Sequence, residues 1–81
     1  MVTVYALKSE NTNKVYVGMT TDMPRRLQEH NKGKSKFTSA FIPWDIVYQE
    51  KAEDFVQGRI REKYLKSTAG KKFIKKFREE Q

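Results

Sequence analysis

The chain has 81 residues, with 17 Lys and Arg against 10 Asp and Glu, so its formal charge is +7. This length predicts a single domain over residues 1–81 and excludes a nucleotide-binding domain joined to a substrate domain, and also a (β/α) barrel of roughly 250 residues. The positive charge favours a polyanionic partner such as nucleic acid, although a basic protein without a specific partner has the same composition.

Two strands open the chain. Residues 2–8 (VTVYALK) and 14–19 (KVYVGM) are rich in β-branched and aromatic residues and alternate in the manner of β-strands. The segment SENTN between them has the composition of a turn, so the two strands are expected to pair as a hairpin. In that hairpin Tyr5 and Tyr16 can share one face of the sheet.

A helix, a loop and a third strand follow. Three residues are N-cap candidates, Thr20, Thr21 and Asp22. Since Pro24 suits the first turn, the sequence predicts a helix from Met23 to near Asn31. Residues 31–44 (NKGKSKFTSAFIPW) combine Asn, Gly, Ser and Lys and end near a proline, which predicts an exposed basic loop. Residues 45–50 (DIVYQE) predict the third strand.

The next segment predicts a long helix over about residues 54–67. Acidic residues at its beginning favour a helix N-terminus, and apolar residues recur at helical spacing along it. We expect these apolar residues to form the stripe that packs on the sheet: Val56, Ile60 and Tyr64. Gly70 is expected to break the helical pattern.

The last segment predicts a short, basic, amphipathic helix. In residues 71–79 (KKFIKKFRE), lysines surround Phe73, Ile74 and Phe77, which recur on one side. The complete order is therefore β-β-α-β-α-α. This order predicts an α+β fold in which helices flank a three-stranded, mainly antiparallel sheet.

The chain contains no cysteine, which excludes a disulfide framework, a thiolate zinc site and a cysteine nucleophile. We therefore expect a reducing, cytoplasmic setting. The start MVTVYALKSE lacks the basic region of a signal peptide. No apolar run approaches the roughly 18 to 20 residues of a membrane span, so we expect a soluble protein without a membrane partner; no partner protein is evident either.

The sequence contains no GxxxxGK[ST] loop, GxGxxG turn, HExxH pair or GxSxG elbow. The polar residues that suit one common chemistry are two phenols, a guanidinium, an imidazole and a carboxylate: Tyr5, Tyr16, Arg26, His30 and Glu62. Together they suit phosphodiester cleavage. The carboxylate can hold a divalent ion, the guanidinium can neutralise developing charge, and a phenol or imidazole can relay the proton of an attacking water.

Each of these residues also has a structural interpretation. Tyrosines in strands commonly serve packing. Glu62 can be an exposed partner of Arg59 or Lys66 on the same helix. A single His30 beside Glu29 is commonly a surface residue. Spacing alone leaves open whether the five side chains converge.

Four segments, in order, carry a family resemblance. They are TVY at 3–5, YVG at 16–18, TTDMPRRLQEHNKG at 20–33 and REKYLKS at 61–67. In this order and spacing the chain resembles the GIY-YIG nuclease superfamily from about residue 2 to residue 77. It is similar to the small, stand-alone bacterial members and to the N-terminal incision domain of the bacterial excision-repair nuclease. The first triplet departs from Gly-Ile-Tyr but retains the tyrosine.

The resemblance assigns roles to individual residues. It implies catalytic roles for Tyr5, Tyr16, Arg26, His30 and Glu62. Glu62 would also be the metal ligand, since the family glutamate lies in the second long helix. Gly18 would be the structural glycine of the second triplet. A small residue is expected at Gly58, where that helix packs closely on the sheet.

The implied activity is metal-dependent endonucleolytic hydrolysis of DNA, structure-specific and linked to repair or recombination, with RNA left open as a substrate. One Mg²⁺ or Mn²⁺ ion would be held by Glu62, waters and the substrate phosphate. Tyr5 or Tyr16 would be the general base. The alternative is a catalytically weak or inactive nucleic-acid-binding module. In either case lysines would bind backbone phosphates: Lys32, Lys34, Lys36, Lys71, Lys72, Lys75 and Lys76.

Overall fold

The structure is a computed structural model that describes residues 1–79, so the last two residues of the predicted domain, 80 and 81, lie outside it. The strands are β1 (Val2–Ser9), β2 (Val15–Thr20) and β3 (Trp44–Ala52). The helices are α1 (Met23–Asn31), α2 (Lys36–Ser39), α3 (Phe55–Lys66) and α4 (Thr68–Glu79). The predicted α+β class and element order are confirmed, with the short α2 as an addition.

Strand β1 is the centre of an antiparallel sheet with the order β2-β1-β3. Helices cover both faces of this strand, so residues 2–7 are all buried. On one face Val4 and Ala6 pack in a core completed by α3 and α4. On the other face Tyr5 and Leu7 pack with apolar residues of α1 and β3. The candidate catalytic Tyr5 is therefore held in the most constrained strand of the fold.

The pairing of β1 with β2 places the two tyrosines on the same face of the sheet. Tyr5 lies opposite Gly18, and Leu7 lies opposite Tyr16. Residues directly opposite each other, and those two positions along a strand, share a face. The centroids of the two tyrosine rings are accordingly only 6.3 Å apart. The shared face expected from the sequence is confirmed.

Helix α3 packs on the sheet through a face that the apolar spacing does not mark. Its buried residues are Gly58 and Leu65. A Cβ at Gly58 would lie 3.0 Å from Met19 Sδ, so the absence of a side chain allows this close approach. The predicted apolar stripe is wrong, because its three members are exposed: Val56, Ile60 and Tyr64. The buried face of α3 is therefore the face that contains Gly58, and the large apolar residues of the predicted stripe lie elsewhere on the helix.

The chain turns between α3 and α4 at Ser67. The Ser67 carbonyl accepts a hydrogen bond from the Lys71 amide at 2.9 Å, and its hydroxyl accepts one from the Gly70 amide at 3.2 Å. Ser67 thus caps α4. Gly70 lies in the first turn of α4, where an added Cβ would overlap the backbone oxygen of Tyr64. The prediction that Gly70 breaks the helix is wrong; it is the position where two helix backbones meet.

Gly70→Ala should lower the free energy of unfolding by about 1–3 kcal/mol or more, which is the range for forcing extra atoms into a packed site. Urea denaturation measures this difference. Lys72→Ala is the matched control, because Lys72 is exposed on the same helix and its change should stay within about 0.5 kcal/mol. Equal stabilities for the two variants would contradict the close contact at Gly70.

Helix α4 matches the amphipathic helix predicted near the C-terminus, although it begins earlier, at Thr68. Ile74 is buried in the core. The rings of Phe73 and Phe77 pack edge-on against Tyr48 of β3, with centroid distances of 5.3 and 5.0 Å. The lysines of the helix point to solvent as a consequence.

The segment predicted as an exposed loop, 31–44, is partly wrong because it contains α2 and two buried residues. Thr38 and Trp44 are both buried. The Trp44 indole donates to the Thr38 carbonyl at 2.8 Å, and the Trp44 amide donates to the Asn31 side chain at 2.7 Å. These bonds fix α2 beside α1. Among residues 1–79, none of the helices combines the length and apolar character needed to cross a membrane.

Candidate active site

Four of the five predicted catalytic side chains meet on the α1 face of the sheet. Tyr5 comes from β1, Tyr16 from β2, and Arg26 and His30 from α1. The Tyr5 hydroxyl lies 3.1 Å from His30 Nε2 and 3.4 Å from Arg26 Nε. The rings of Tyr16 and His30 have centroids 4.9 Å apart. The structure therefore brings these four groups together.

Helix α1 carries two of these groups because its local sequence fixes its start and its buried face. The Asp22 side chain accepts a hydrogen bond from the Arg25 amide at 3.2 Å, which caps the helix. Met23 and His30 are its buried residues. Arg26 is one turn before His30, so both point toward Tyr5.

The hydrogen bonds have a consistent direction along the site. A guanidinium only donates, so the Tyr5 oxygen accepts from Arg26 and its own hydrogen is directed to His30 Nε2. On the other side of the ring, His30 Nδ1 lies 2.9 Å from the Thr38 hydroxyl. The neutral tautomer protonated at Nδ1 is compatible with both partners, with Nε2 accepting from Tyr5 and Nδ1–H donating to Thr38. The Thr38 hydroxyl in turn is directed to the Ser35 carbonyl at 3.5 Å.

The pKa shifts agree with this arrangement. Burial lowers the pKa of His30, and the positive charge of Arg26 lowers it further, against a smaller opposite effect of Glu29. Burial raises the pKa of Tyr5, while the hydrogen bond from Arg26 opposes that rise. The Tyr5 hydrogen bond raises the pKa of Arg26. At neutral pH the site holds a neutral phenol, a neutral imidazole and a charged guanidinium.

Acidification should destabilise the fold through His30. Its pKa is lower in the folded chain than the ordinary value of about 6.5, so its contribution to stability is present above that pH and is lost as the pH falls toward the folded value. Since His30 is the only histidine, NMR titration of its imidazole is unambiguous. We expect a midpoint below that of the urea-unfolded chain. A folded midpoint at or above the unfolded one would contradict the buried, neutral assignment.

Glu62 stands apart from the other four. Its side chain is only 14% exposed, and its carboxylate oxygens lie 3.3 Å from Arg59 Nε and 3.2 Å from Lys66 Nζ. The ion pairs with Arg59 and with Lys66, which the helical spacing predicted as alternatives, are therefore both present. The charge of Glu62 is also one of the influences that raise the pKa of Tyr5, behind burial and the Tyr16 charge. The carboxylate is within electrostatic range of the phenol without a hydrogen bond to it in the described structure.

The chemistry of Glu62 fits a divalent ion. Carboxylate oxygens are the donors that Mg²⁺ prefers, and Mg²⁺ commonly retains several waters. The side chains of Arg59 and Lys66 are largely exposed, so their ion pairs contribute little and can be exchanged for a metal ion. Within residues 1–79 no group of three or more His, Cys, Asp or Glu side chains is arranged to hold a metal.

Gly18 lies directly between the two phenols. A Cβ at this position would be 2.7 Å from the Tyr5 hydroxyl oxygen and 3.0 Å from a ring carbon of Tyr16. Any larger residue at Gly18 must displace at least one of the tyrosines from the site.

Three neighbours of the site were not identified from the sequence. Glu29 accepts a hydrogen bond from Arg26 at 3.1 Å, which lowers the pKa of Glu29, and their i,i+3 spacing could have indicated it. Thr38 binds His30 only because α2 folds back on α1, which no local pattern shows. The Phe37 ring, at the start of α2, has its centroid 6.3 Å from that of Tyr16.

The seven predicted phosphate-binding lysines are all exposed, on two separate surfaces. Lys32, Lys34 and Lys36 lie between and at the ends of α1 and α2. The other four lie on α4, where only Lys71 and Lys75 line a groove of about 1000 Å³ beside β2. Lys72 and Lys76 lie outside that lining.

Comparison with known proteins shows the family to which the chain belongs. The family model described as the GIY-YIG catalytic domain matches residues 1–77, which includes every residue of the candidate site. The chain belongs to the GIY-YIG family. The resemblance seen in the sequence is thus confirmed.

The relatives of this GIY-YIG chain are bacterial. UPF0213 protein SH2523 of Staphylococcus haemolyticus is 32% identical over 77 residues, covering 94% of this chain and 93% of that protein. UPF0213 protein RBAM_000440 of Bacillus velezensis is 33% identical over 72 residues, covering 84% and 73%. UPF0213 protein spr1390 of Streptococcus pneumoniae is 50% identical, but the match covers 43% of this chain and only 36% of that relative. No solved structure gives a significant match.

Proposed function

We propose that this GIY-YIG protein is a divalent-metal-dependent endonuclease that hydrolyses phosphodiester bonds in DNA. Family membership supports the nuclease class. The observation that carries the proposal is the hydrogen-bonded set formed by Arg26, Tyr5 and His30, with Tyr16 packed against it. A cation, a proton donor and a proton acceptor in contact are the groups that phosphodiester hydrolysis needs.

Tyr5 is better placed than Tyr16 to act as the general base. Its hydroxyl proton has an acceptor, His30 Nε2, at 3.1 Å, and its oxygen already receives a hydrogen bond from Arg26. As a water attacks phosphorus, its proton passes to the Tyr5 oxygen while the phenolic proton passes to His30. The low pKa of His30 keeps its Nε2 unprotonated and ready at neutral pH.

Arg26 and Glu62 would act on the phosphate side of the reaction. Arg26 carries its charge beside both phenols, where it can stabilise the additional negative charge of the pentavalent phosphate. Glu62 would hold the divalent ion, Mg²⁺ or Mn²⁺. Such an ion, when bound, polarises the phosphate and stabilises charge on the leaving oxygen.

We propose the biological setting from the charge, the composition and the family of the chain. The charge of +7 suits a nucleic acid substrate, and the absence of cysteine suits the cytoplasm. We place the activity on structured DNA during repair or recombination, carried by one nuclease domain over residues 1–81. RNA is the substrate with which cleavage of DNA is compared in the experiment below.

A catalytically weak or inactive nucleic-acid-binding module is the second candidate. The observation in its favour is that both Glu62 oxygens are within ion-pair distance of a cation, Arg59 or Lys66. If these pairs resist exchange, the metal is not bound and the basic surface alone remains functional.

Incubation with end-labelled branched, duplex and single-stranded DNA, and with RNA, tests the two candidates. We expect cleavage with Mg²⁺ or Mn²⁺ and none with chelator. Salt-sensitive binding without cleavage of any substrate would support the binding module instead. Absence of both binding and cleavage would overturn both candidates.

A further inference from the structure

A basic groove runs along the free edge of β2 and ends at the candidate active site. It has a volume of about 1000 Å³ and lies between β2 and α4. Its floor is apolar, with residues such as Val17 and Ile74. Six cationic side chains line it: Lys8, Lys14, Lys66, Lys71, Lys75 and Arg78. The only acidic residue among its lining residues is Glu79.

The cations of α4 are available for a ligand. Among residues 1–79, no carboxylate lies within ion-pair distance of Lys71, Lys75 or Arg78. A row of unneutralised positive charges above an apolar floor is complementary to a chain that has regularly spaced negative charges and flat apolar groups.

An exposed aromatic ring stands where the groove meets the site. Phe37 lines the groove and is 54% exposed, although it is a large apolar residue. One side of its ring packs toward Tyr16, which also lines the groove. The ring also packs toward Phe41, with centroids 5.6 Å apart, and the part of Phe37 left exposed faces solvent. An exposed aromatic face beside cations is the arrangement on which an unpaired base stacks.

We propose that this groove binds an unpaired stretch of a nucleic acid strand, with phosphates on the α4 cations Lys71, Lys75 and Arg78 and one base stacked on Phe37. The inference rests on the proposed function and adds to it the class of substrate. A volume of about 1000 Å³ is at the upper end of the roughly 300–1000 Å³ of small-ligand pockets, which is enough room for a few nucleotides of one strand.

Two lining residues connect the groove with the catalytic groups. Tyr16 lines the groove and contacts His30 through their rings. Lys66 lines the groove and lies 3.2 Å from the Glu62 carboxylate. A strand in the groove therefore lies beside Tyr16 and beside the Lys66–Glu62 ion pair. Cleavage would then occur where the substrate is unpaired, at a flap, loop or bubble.

Stacking is tested by Phe37→Ala, with binding measured in chelator so that cleavage plays no part. The probes are oligothymidylate and a blunt duplex of equal length. We expect wild type to prefer the single strand, and Phe37→Ala to weaken that affinity about 5- to 150-fold, the range for losing one base-aromatic stack. Phe55→Ala is the control, because Phe55 is 55% exposed but lies outside the groove lining. Phe37→Tyr should retain binding and shows that loss in the alanine variant is not misfolding.

The charged wall is tested by two matched double substitutions on α4. Lys71→Gln with Lys75→Gln should flatten the dependence of log affinity on log salt by about 1.4, since each phosphate contact on a single strand contributes about 0.7. Lys72→Gln with Lys76→Gln removes the same charge from the same helix but outside the groove lining, and should change the slope less.

Three results would overturn the inference: equal affinity for duplex and single strand, an unchanged affinity in Phe37→Ala, or stronger binding of polyglutamate than of oligothymidylate. These results are independent of catalysis. Single-strand binding with the expected variant effects but without cleavage in Mg²⁺ would refute the nuclease and leave the groove assignment standing.

Discussion

Glu62→Gln is expected to abolish metal-dependent cleavage while leaving the fold and the affinity for DNA in chelator nearly unchanged. The substitution keeps the volume of the side chain but removes the charge of the proposed metal ligand. The lost ion pairs with Arg59 and Lys66 involve exposed partners, so stability should change little. Initial cleavage rates over a Mg²⁺ titration measure the effect, and thermal unfolding checks the fold.

Glu53→Gln is the control for that result. It removes one negative charge from an exposed residue just before α3 and should retain wild-type cleavage. Equal activity of Glu62→Gln and wild type across the titration would rule out Glu62 as the metal ligand. If a higher Mg²⁺ concentration restores cleavage by Glu62→Gln, Glu62 raises the affinity for the ion but is not required for cleavage once the ion is bound.

Arg26→Ala is expected to reduce cleavage about 10²- to 10³-fold, the loss typical of removing one group that stabilises the transition state. Arg26 is the only cation hydrogen-bonded to Tyr5 among the described residues, so the substitution removes both phosphate stabilisation and support for the phenol. Single-turnover rates at saturating protein report this loss apart from any change in affinity.

Arg25→Ala is the matched control, because it removes the adjacent guanidinium, whose side chain is 76% exposed and which contacts Glu29 rather than Tyr5. It should affect the salt dependence of binding at most. If Arg26→Ala weakens binding but leaves the single-turnover rate at saturation intact, Arg26 is a phosphate clamp and not a stabiliser of the transition state.

The hairpin, α1 and the family could be predicted because their signals are local. Alternation in β1 and β2, the Asp22 cap and the four-residue spacing of Arg26 and His30 all act over a few residues. Three of the four segments that carry the family resemblance lie on those same elements. The local patterns placed two tyrosines on paired strands and two residues on one helix face, but left open whether the four side chains converge.

What could not be predicted depends on contacts between distant segments. The helix face of α3 is chosen by the approach of Gly58 to Met19, so large apolar residues at helical spacing were misleading. The buried His30 lies 2.9 Å from the hydroxyl of Thr38, which α2 brings back from a segment that looks like a loop. The separation of Lys71 and Lys75 from Lys72 and Lys76 follows from how α4 lies beside β2, which the lysine pattern does not encode.

In the proposed function, this fold hydrolyses DNA with a divalent ion at a site that contains Tyr5, Arg26, His30 and Glu62. The most direct measurement is single-turnover cleavage of an end-labelled DNA that joins a duplex to an unpaired segment, with wild type, Arg26→Ala and Glu62→Gln purified in parallel. We expect wild type to cleave this DNA in Mg²⁺ or Mn²⁺ and not in chelator. The cleavage rate of both variants should be lower by at least about 10²-fold. Cleavage that survives equally in the two variants, or no cleavage by wild type with either metal, would contradict the proposed function.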